Sequence, residues 1–207
     1  SSFNMKNWFA VTLTILVAYS ALPAYAAGDV AAGKEKAMQC ASCHGADGNS
    51  LNPEWPKLAG QHADYLVKQL TYFEIGEREN ITMKPMASVL DAQGREDVAA
   101  FYASQKVSLG KADPELVELG ERIYRSGNPE SGVAPCMGCH GPNGAGNPAA
   151  LYHALRGQHA KYNEIQLHGF AEGKRVNENA KKMMQLLARR MTNREIRAVA
   201  SYIQGLH

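Results

Sequence analysis

Cys40 and Cys43 are separated by two residues and followed directly by His44, and Cys136, Cys139 and His140 repeat that arrangement. Each is a C-x-x-C-H run, the pattern of c-type haem attachment. The chemistry explains the spacing. Two thiols add across the two vinyl groups of haem to form thioethers, and the adjacent histidine lies under the iron as its proximal ligand. The chain has four cysteines, and the two runs account for all of them. A redox C-x-x-C or a four-cysteine zinc site would also pair cysteines. Neither explains histidine after both pairs. A zinc ribbon brings its pairs closer in sequence, and a thioredoxin-like motif expects a βαβ setting that is not seen here.

A His-ligated iron needs a sixth ligand or stays open, and methionine commonly fills that place where only electrons move. The candidates are Met83 and Met86 in the first half, and Met183, Met184 and Met191 in the second. Leu90, just before Asp91, corresponds to Met191, just before Thr192, and seven residues upstream of these stand Met83 and Met184. Only that pair shares a position, so Met83 and Met184 are the expected ligands, with four extra residues in the second half between Gly173 and Met184. The remaining methionines are expected to fill core space. An iron-bound histidine usually donates its other N–H to an oxygen. For His44 a carbonyl in the Pro53 to Pro56 stretch is in range, and Trp55 could reach a propionate or pack on the ring. His62, His153, His159 and His168 receive no role, the first and third reading as helix N-terminal surface residues.

The elements that must position these groups come in two copies. Leu58-Ala59-Gly60-Gln61-His62-Ala63 matches Leu155-Arg156-Gly157-Gln158-His159-Ala160, and Tyr65, Gln69, Leu70, Phe73 and Gly76 match Tyr162, Gln166, Leu167, Phe170 and Gly173 at the same offset. The second copy has an insertion around Ser126 to Pro135 before its cysteines. Apolar spacing predicts helices over 62–76 and 159–173. Asp29 and Asp91 are expected to cap helices, and Asp113-Pro114 to supply N-cap and N1 of another. Thr192-Asn193-Arg194-Glu195 reads as a capping box opening the last helix. No alternating strand pattern appears. The expectation is an all-α tandem repeat with haem domains at 27–104 and 113–207 and a linker at 105–112. Each copy is small, so each must bury much of its apolar surface against haem.

Composition is that of an ordinary globular chain, with a formal net charge of +2 over 207 residues, and points to no nucleic-acid partner. The charge is uneven. Residues 27–113 carry nine Lys/Arg against twelve Asp/Glu, whereas 114–207 carry twelve against eight. Such an acidic half and basic half could orient the molecule on its partners, or be no more than two solvated surfaces. Met5-Lys6-Asn7, the apolar run Trp8–Leu22 and Ala24-Tyr25-Ala26 read as a signal peptide within residues 1–26, retained as an anchor if uncleaved.

With these residues in place, the chain from Ala27 to His207 resembles the cytochrome c4 family of periplasmic dihaem proteins. The likeness is carried by Cys-Ala-Ser-Cys-His-Gly-Ala-Asp-Gly-Asn-Ser at 40–50, Pro56-Lys57-Leu58-Ala59-Gly60-Gln61, the linker Ser104-Gln105-Lys106, Cys-Met-Gly-Cys-His at 136–140 and the end Ser201–His207. The resemblance implies two class I cytochrome c domains, two covalent haem c groups and His/Met ligation of both irons. It implies a role passing electrons toward a haem-copper terminal oxidase. The expected partners are therefore redox proteins, with a donor such as a quinol-oxidising complex, and the N-terminal segment or a membrane complex could hold the protein at a membrane. It implies that the Pro56 carbonyl accepts from His44. The second copy has Tyr152 and His153 where that proline would stand, and a carbonyl of either could accept from His140. It also implies that Gly33 and Gly120 let the first helix of each domain cross the last closely, with Phe101 and Tyr202 packing there. A soluble shuttle is the leading reading. A dihaem subunit of a larger oxidoreductase, of flavocytochrome type, is the alternative, and a dihaem peroxidase would need an open iron.

Overall fold

The computed structural model describes residues 27–175 and 182–207. The expected signal peptide, residues 1–26, lies outside the described residues, as does most of the extra segment before Met184. Helices α1 (Val30–Lys36), α2 (Ala41–His44), α3 (Ala63–Ile75), α4 (Met83–Ser88) and α5 (Ala92–Ala103) form the first domain. Helices α6 (Val117–Ser126), α7 (Met137–His140), α8 (Ala160–Ala171), α9 (Met183–Ala188) and α10 (Asn193–Gly205) repeat them. Among the described residues there is no strand beyond two isolated bridges, Asn128 with Val133 and Asn147 with Tyr152. No described helix is long and apolar enough to cross a membrane.

Local chemistry starts the helices largely where expected. The Asp29 carboxylate accepts from the N–H groups of Ala31 and Ala32, and Asp91 accepts from Gly94. Thr192 and Glu195 complete the reciprocal capping box of α10. One start differs. Asp113 does not cap a helix at Pro114; its carboxylate accepts from Glu115 and its carbonyl from Leu116 in a turn, and α6 begins at Val117. The Asp113 N–H donates to Ser201 Oγ at 2.8 Å, which fastens this turn to α10, and the helix winds only beyond it.

Each domain closes by crossing its first helix over its last. A Cβ on Gly33 would lie 2.0 Å from the Asp97 carbonyl oxygen, and one on Gly120 would lie 2.2 Å from that of Ala198. Both crossings therefore depend on glycine, and Phe101 and Tyr202 pack against them. Ala37, Leu66, Leu90, Val98, Ala99, Phe101 and Tyr102 form the first core. Ile123, Tyr124, Val199, Tyr202, Ile203 and Leu206 form the second. The insertion in the second domain is a turn closed by Asn128 and Val133, and Asn128 Nδ2 donates to Glu195 Oε1 at 2.7 Å, pinning it to α10.

The two domains face each other around a pseudo-twofold relation. Gln61 Nε2 donates to the Ala154 carbonyl and Gln158 Nε2 to the Lys57 carbonyl, both at 2.9 Å. Arg78 Nη2 donates to Tyr162 and Arg175 Nη2 to Tyr65, again both at 2.9 Å. Each partner in one bond stands 97 positions from its counterpart in the other, so the interface uses the repeat twice.

Candidate functional site

In both copies a short helical turn carries the cysteines and ends on the histidine, stopped by a glycine of positive φ, 83° at Gly45 and 80° at Gly141. Only glycine takes that backbone without strain. Cys40, Cys43 and His44 thus share one turn, as do Cys136, Cys139 and His140. All four thiols are unbridged. Burial raises the Cys40 thiol and pushes Cys136 up to about 11.

His44 and His140 are buried, each 7% exposed. His44 Nδ1–H donates to the Pro56 carbonyl at 2.9 Å, as the resemblance implies. His140 Nδ1–H donates to the His153 carbonyl at 2.9 Å, which chooses His153 over Tyr152. A carbonyl can only accept, so each bond puts the proton on Nδ1 and leaves Nε2 with a lone pair. Burial lowers both histidines below their ordinary range, which keeps the rings neutral as iron ligation requires. Tyr102 Oη is buried in the first domain, beside the Cys40 thiol and with no nitrogen or oxygen partner among the described residues. Paired thiols and a neutral imidazole on one turn, with a buried tyrosine hydroxyl from α5 beside Cys40, fit a covalently held haem.

Met83 opens α4 and Met184 is the second residue of α9, both half-buried. The two helices are equivalent at an offset of 101, because each buries an alanine at the matched position, Ala87 at 0% and Ala188 at 1% exposed. Leu90 and Met191 then pack on the two cores at the same offset. Met183 is exposed, 49%, one step round the helix.

Sequence reasoning missed the work of five interface residues. His62 and His159 do sit at helix N-termini, but they reach across the interface. His62 Nε2 bonds the Ala145 carbonyl and His159 Nε2 that of Ser50, each at 2.9 Å. His153 stacks on Tyr65 of the first domain, with ring centroids 4.3 Å apart and planes 14° apart. Burial, then the positive charges around it, hold His153 well below the ordinary histidine range. Gln61 and Gln158 bridge backbone groups of the opposite domain. The only hint was that Gly-Gln-His recurs in both copies, which marks a shared role without saying which.

The family model for cytochrome c matches residues 30–106 and 117–207. Cytochrome c4 of Pseudomonas aeruginosa is 46% identical over 201 residues, covering 97% of this chain and all of that one. A thiosulfate dehydrogenase electron acceptor of Thiomonas intermedia is 37% identical over 84% of this chain and 81% of its own length. Among solved structures, the reduced recombinant cytochrome c4 from Pseudomonas stutzeri superposes with a TM-score of 0.84 at 45% identity, over 87% of this chain and all of that one. Two attachment turns in two repeated helical domains, matched along nearly the whole length, place this chain in the cytochrome c4 family, as an electron-transfer protein with two covalently bound haem c groups.

Proposed function

We propose that this protein works in the periplasm after export by residues 1–26, taking electrons from a quinol-oxidising complex and passing them toward a haem-copper terminal oxidase. His44 and Met83 ligate one iron, and His140 and Met184 the other, with domains at 27–104 and 113–207 joined by the linker 105–112. The observation that supports this reading is the matched pair of ligand geometries. In both domains a buried histidine has its Nδ1 proton committed to a carbonyl, and a half-buried methionine stands at the head of the equivalent helix.

The iron supplies the one-electron chemistry. The chain holds the histidine ring in one tautomer, keeps water from the imidazole and brings the two attachment turns together across a hydrogen-bonded interface. A saturated iron binds no substrate, so the protein carries electrons and performs no bond chemistry of its own. The acidic first half and basic second half suit partners of opposite charge at the two ends.

The likeness to thiosulfate dehydrogenase electron acceptors favours a second reading, in which the donor is a sulfur-oxidising enzyme and this chain its electron-accepting partner. The two readings share the haem chemistry and differ in the donor.

The test is a visible spectrum of the purified protein with a pyridine haemochrome count and carbon monoxide addition. Two haems per chain, a sulfur-to-iron band in the oxidised state and no response to carbon monoxide are expected. Met83→Ala or Met184→Ala should open one iron to carbon monoxide while keeping covalent haem. An unchanged low-spin spectrum in either variant removes that methionine from the ligand set. Reduction by quinol-oxidising membranes or by a thiosulfate-oxidising enzyme, compared side by side, separates the two donors.

A further inference from the structure

The carbonyl that accepts from each axial histidine belongs to a peptide whose N–H is held by the other domain. In the first domain that peptide joins Pro56 to Lys57. Its C=O accepts from His44 at 2.9 Å, and its N–H, on Lys57, donates to Gln158 Oε1 at 2.8 Å. In the second it joins His153 to Ala154. Its C=O accepts from His140 at 2.9 Å, and its N–H, on Ala154, donates to Gln61 Oε1 at 2.9 Å. Each glutamine closes the grip by donating Nε2 to the next carbonyl, of Lys57 or of Ala154, at 2.9 Å. Its oxygen also accepts from the following backbone N–H, that of His62 or His159, at 3.0 and 3.1 Å. Two N–H groups facing one amide oxygen fix which way each amide points. Lys57 and Gln61 are each only 8% exposed, so this part of the network is shielded from water.

We propose that Gln61 and Gln158 are positioning residues that act in trans, each setting the axial histidine of the opposite domain through one shared peptide. This rests on His44 and His140 being the iron ligands proposed above. The physics is that of a hydrogen-bond chain. An acceptor on a peptide N–H draws electron density toward its carbonyl oxygen, and a more negative oxygen binds Nδ1–H more strongly. A more strongly held Nδ1–H makes the imidazole a better donor to iron, which favours the oxidised state. Each haem's potential is thereby tied to the seating of its neighbour domain, and the pairing is crossed.

The experiment uses the full-length dihaem protein, histidine-labelled with nitrogen-15, and follows Nδ1–H exchange of His44 and His140 in the reduced state together with both midpoint potentials. Each potential is assigned by tracking the two histidine signals through the redox titration. Gln158→Leu should speed exchange at His44 about tenfold, the order of effect outer-shell partners carry, raise the potential of the first haem and leave His140 as it was. Gln61→Leu should do the mirror image. Gln158→Glu keeps an oxygen on the Lys57 N–H and adds charge, so it should keep exchange slow and lower the first potential more than the second. That variant decides the matter if the leucine variants do not fold. Equal changes at both histidines, changes confined to the mutated domain, or no change overturn the proposal. If either histidine of the parent protein lacks the large ring-current shifts of an iron-bound imidazole, the ligand assignment fails and takes this inference with it. Normal shifts without a crossed response leave the ligands standing and remove the inference alone.

Discussion

The two domains share a fold and an attachment turn but hold the histidines of those turns differently. In the first, the accepting carbonyl belongs to Pro56, whose ring fixes φ by itself. In the second it belongs to His153, whose backbone has no such restraint and whose ring is stacked on Tyr65 from the first domain. A covalent constraint in one copy is thus replaced by a packing constraint in the other. The helix joints differ too. Asp97 Oδ1 takes the Asp29 N–H at 2.9 Å while its other oxygen pairs with Lys36. The position equivalent to Asp97 in the second domain is Ala198, and there Ser201 takes the Asp113 N–H instead. A repeat therefore preserves geometry while its supports drift, and each difference gives a way to separate the two halves.

The largest separation comes from removing one attachment site. Replacing Cys136 and Cys139 with serine should leave one haem per chain by pyridine haemochrome count, on the first domain. The second domain should lose cooperative melting, because its small core depends on haem. The mirror variant at Cys40 and Cys43 should give the reverse. Equal loss of both haems would mean the domains cannot mature separately.

Gly33→Ala and Gly120→Ala attack the helix crossings, where the new methyl would meet backbone carbonyls that cannot move aside. Each should cost about 3 kcal/mol, the upper part of the usual overpacking range, read as a fall in denaturant midpoint of the affected domain. A cost under about 1 kcal/mol at either position would show that the crossing can open without penalty.

The acid response should separate the joints. Hydrogen bonds from Lys36, the Asp29 N–H and Gln93 hold the Asp97 carboxyl down to about 2. A carboxyl depressed in the folded state stabilises above its unfolded value, about 3.9, and loses that contribution as pH falls through the folded value. Asp97→Asn should therefore weaken the first domain by about 1 kcal/mol at pH 7, with the difference from the parent shrinking between about pH 4 and pH 2. Thermal melts across that range check it. A gap that stays constant with pH would mean that Asp97 acts by shape alone.

The smallest effect concerns the stack. His153→Pro should give the second domain the support the first already has and keep the His140 hydrogen bond. The two midpoint potentials should then move closer together, by a few tens of millivolts at most, as spectropotentiometry would show. A wider gap would mean that the His153 ring tunes the second haem by more than holding its carbonyl.

The chemistry of this protein is written in local sequence. Cysteine spacing, the histidine that follows, the glycine after it and the capping residues Asp29, Asp91 and Thr192 act over a few positions, so their consequences are legible without a fold. The repeat placed Met83 and Met184 at matched positions, and the structure puts them in equivalent helices. What local spacing could not reveal is the interface. Gln61 and Ala154, Gln158 and Lys57, His62 and Ala145 are side chain-to-backbone pairs from distant parts of the chain, and a backbone carbonyl carries no residue signature. The start of α6 was misread because Asp113-Pro114 serves a turn as readily as a helix start: here the Asp113 carboxylate and carbonyl close a turn on Glu115 and Leu116. Sequence by itself determined that two haems are bound and by which turns. Only the tertiary structure decided how the two halves hold each other's histidines, because that depends on which surfaces meet once both domains have folded.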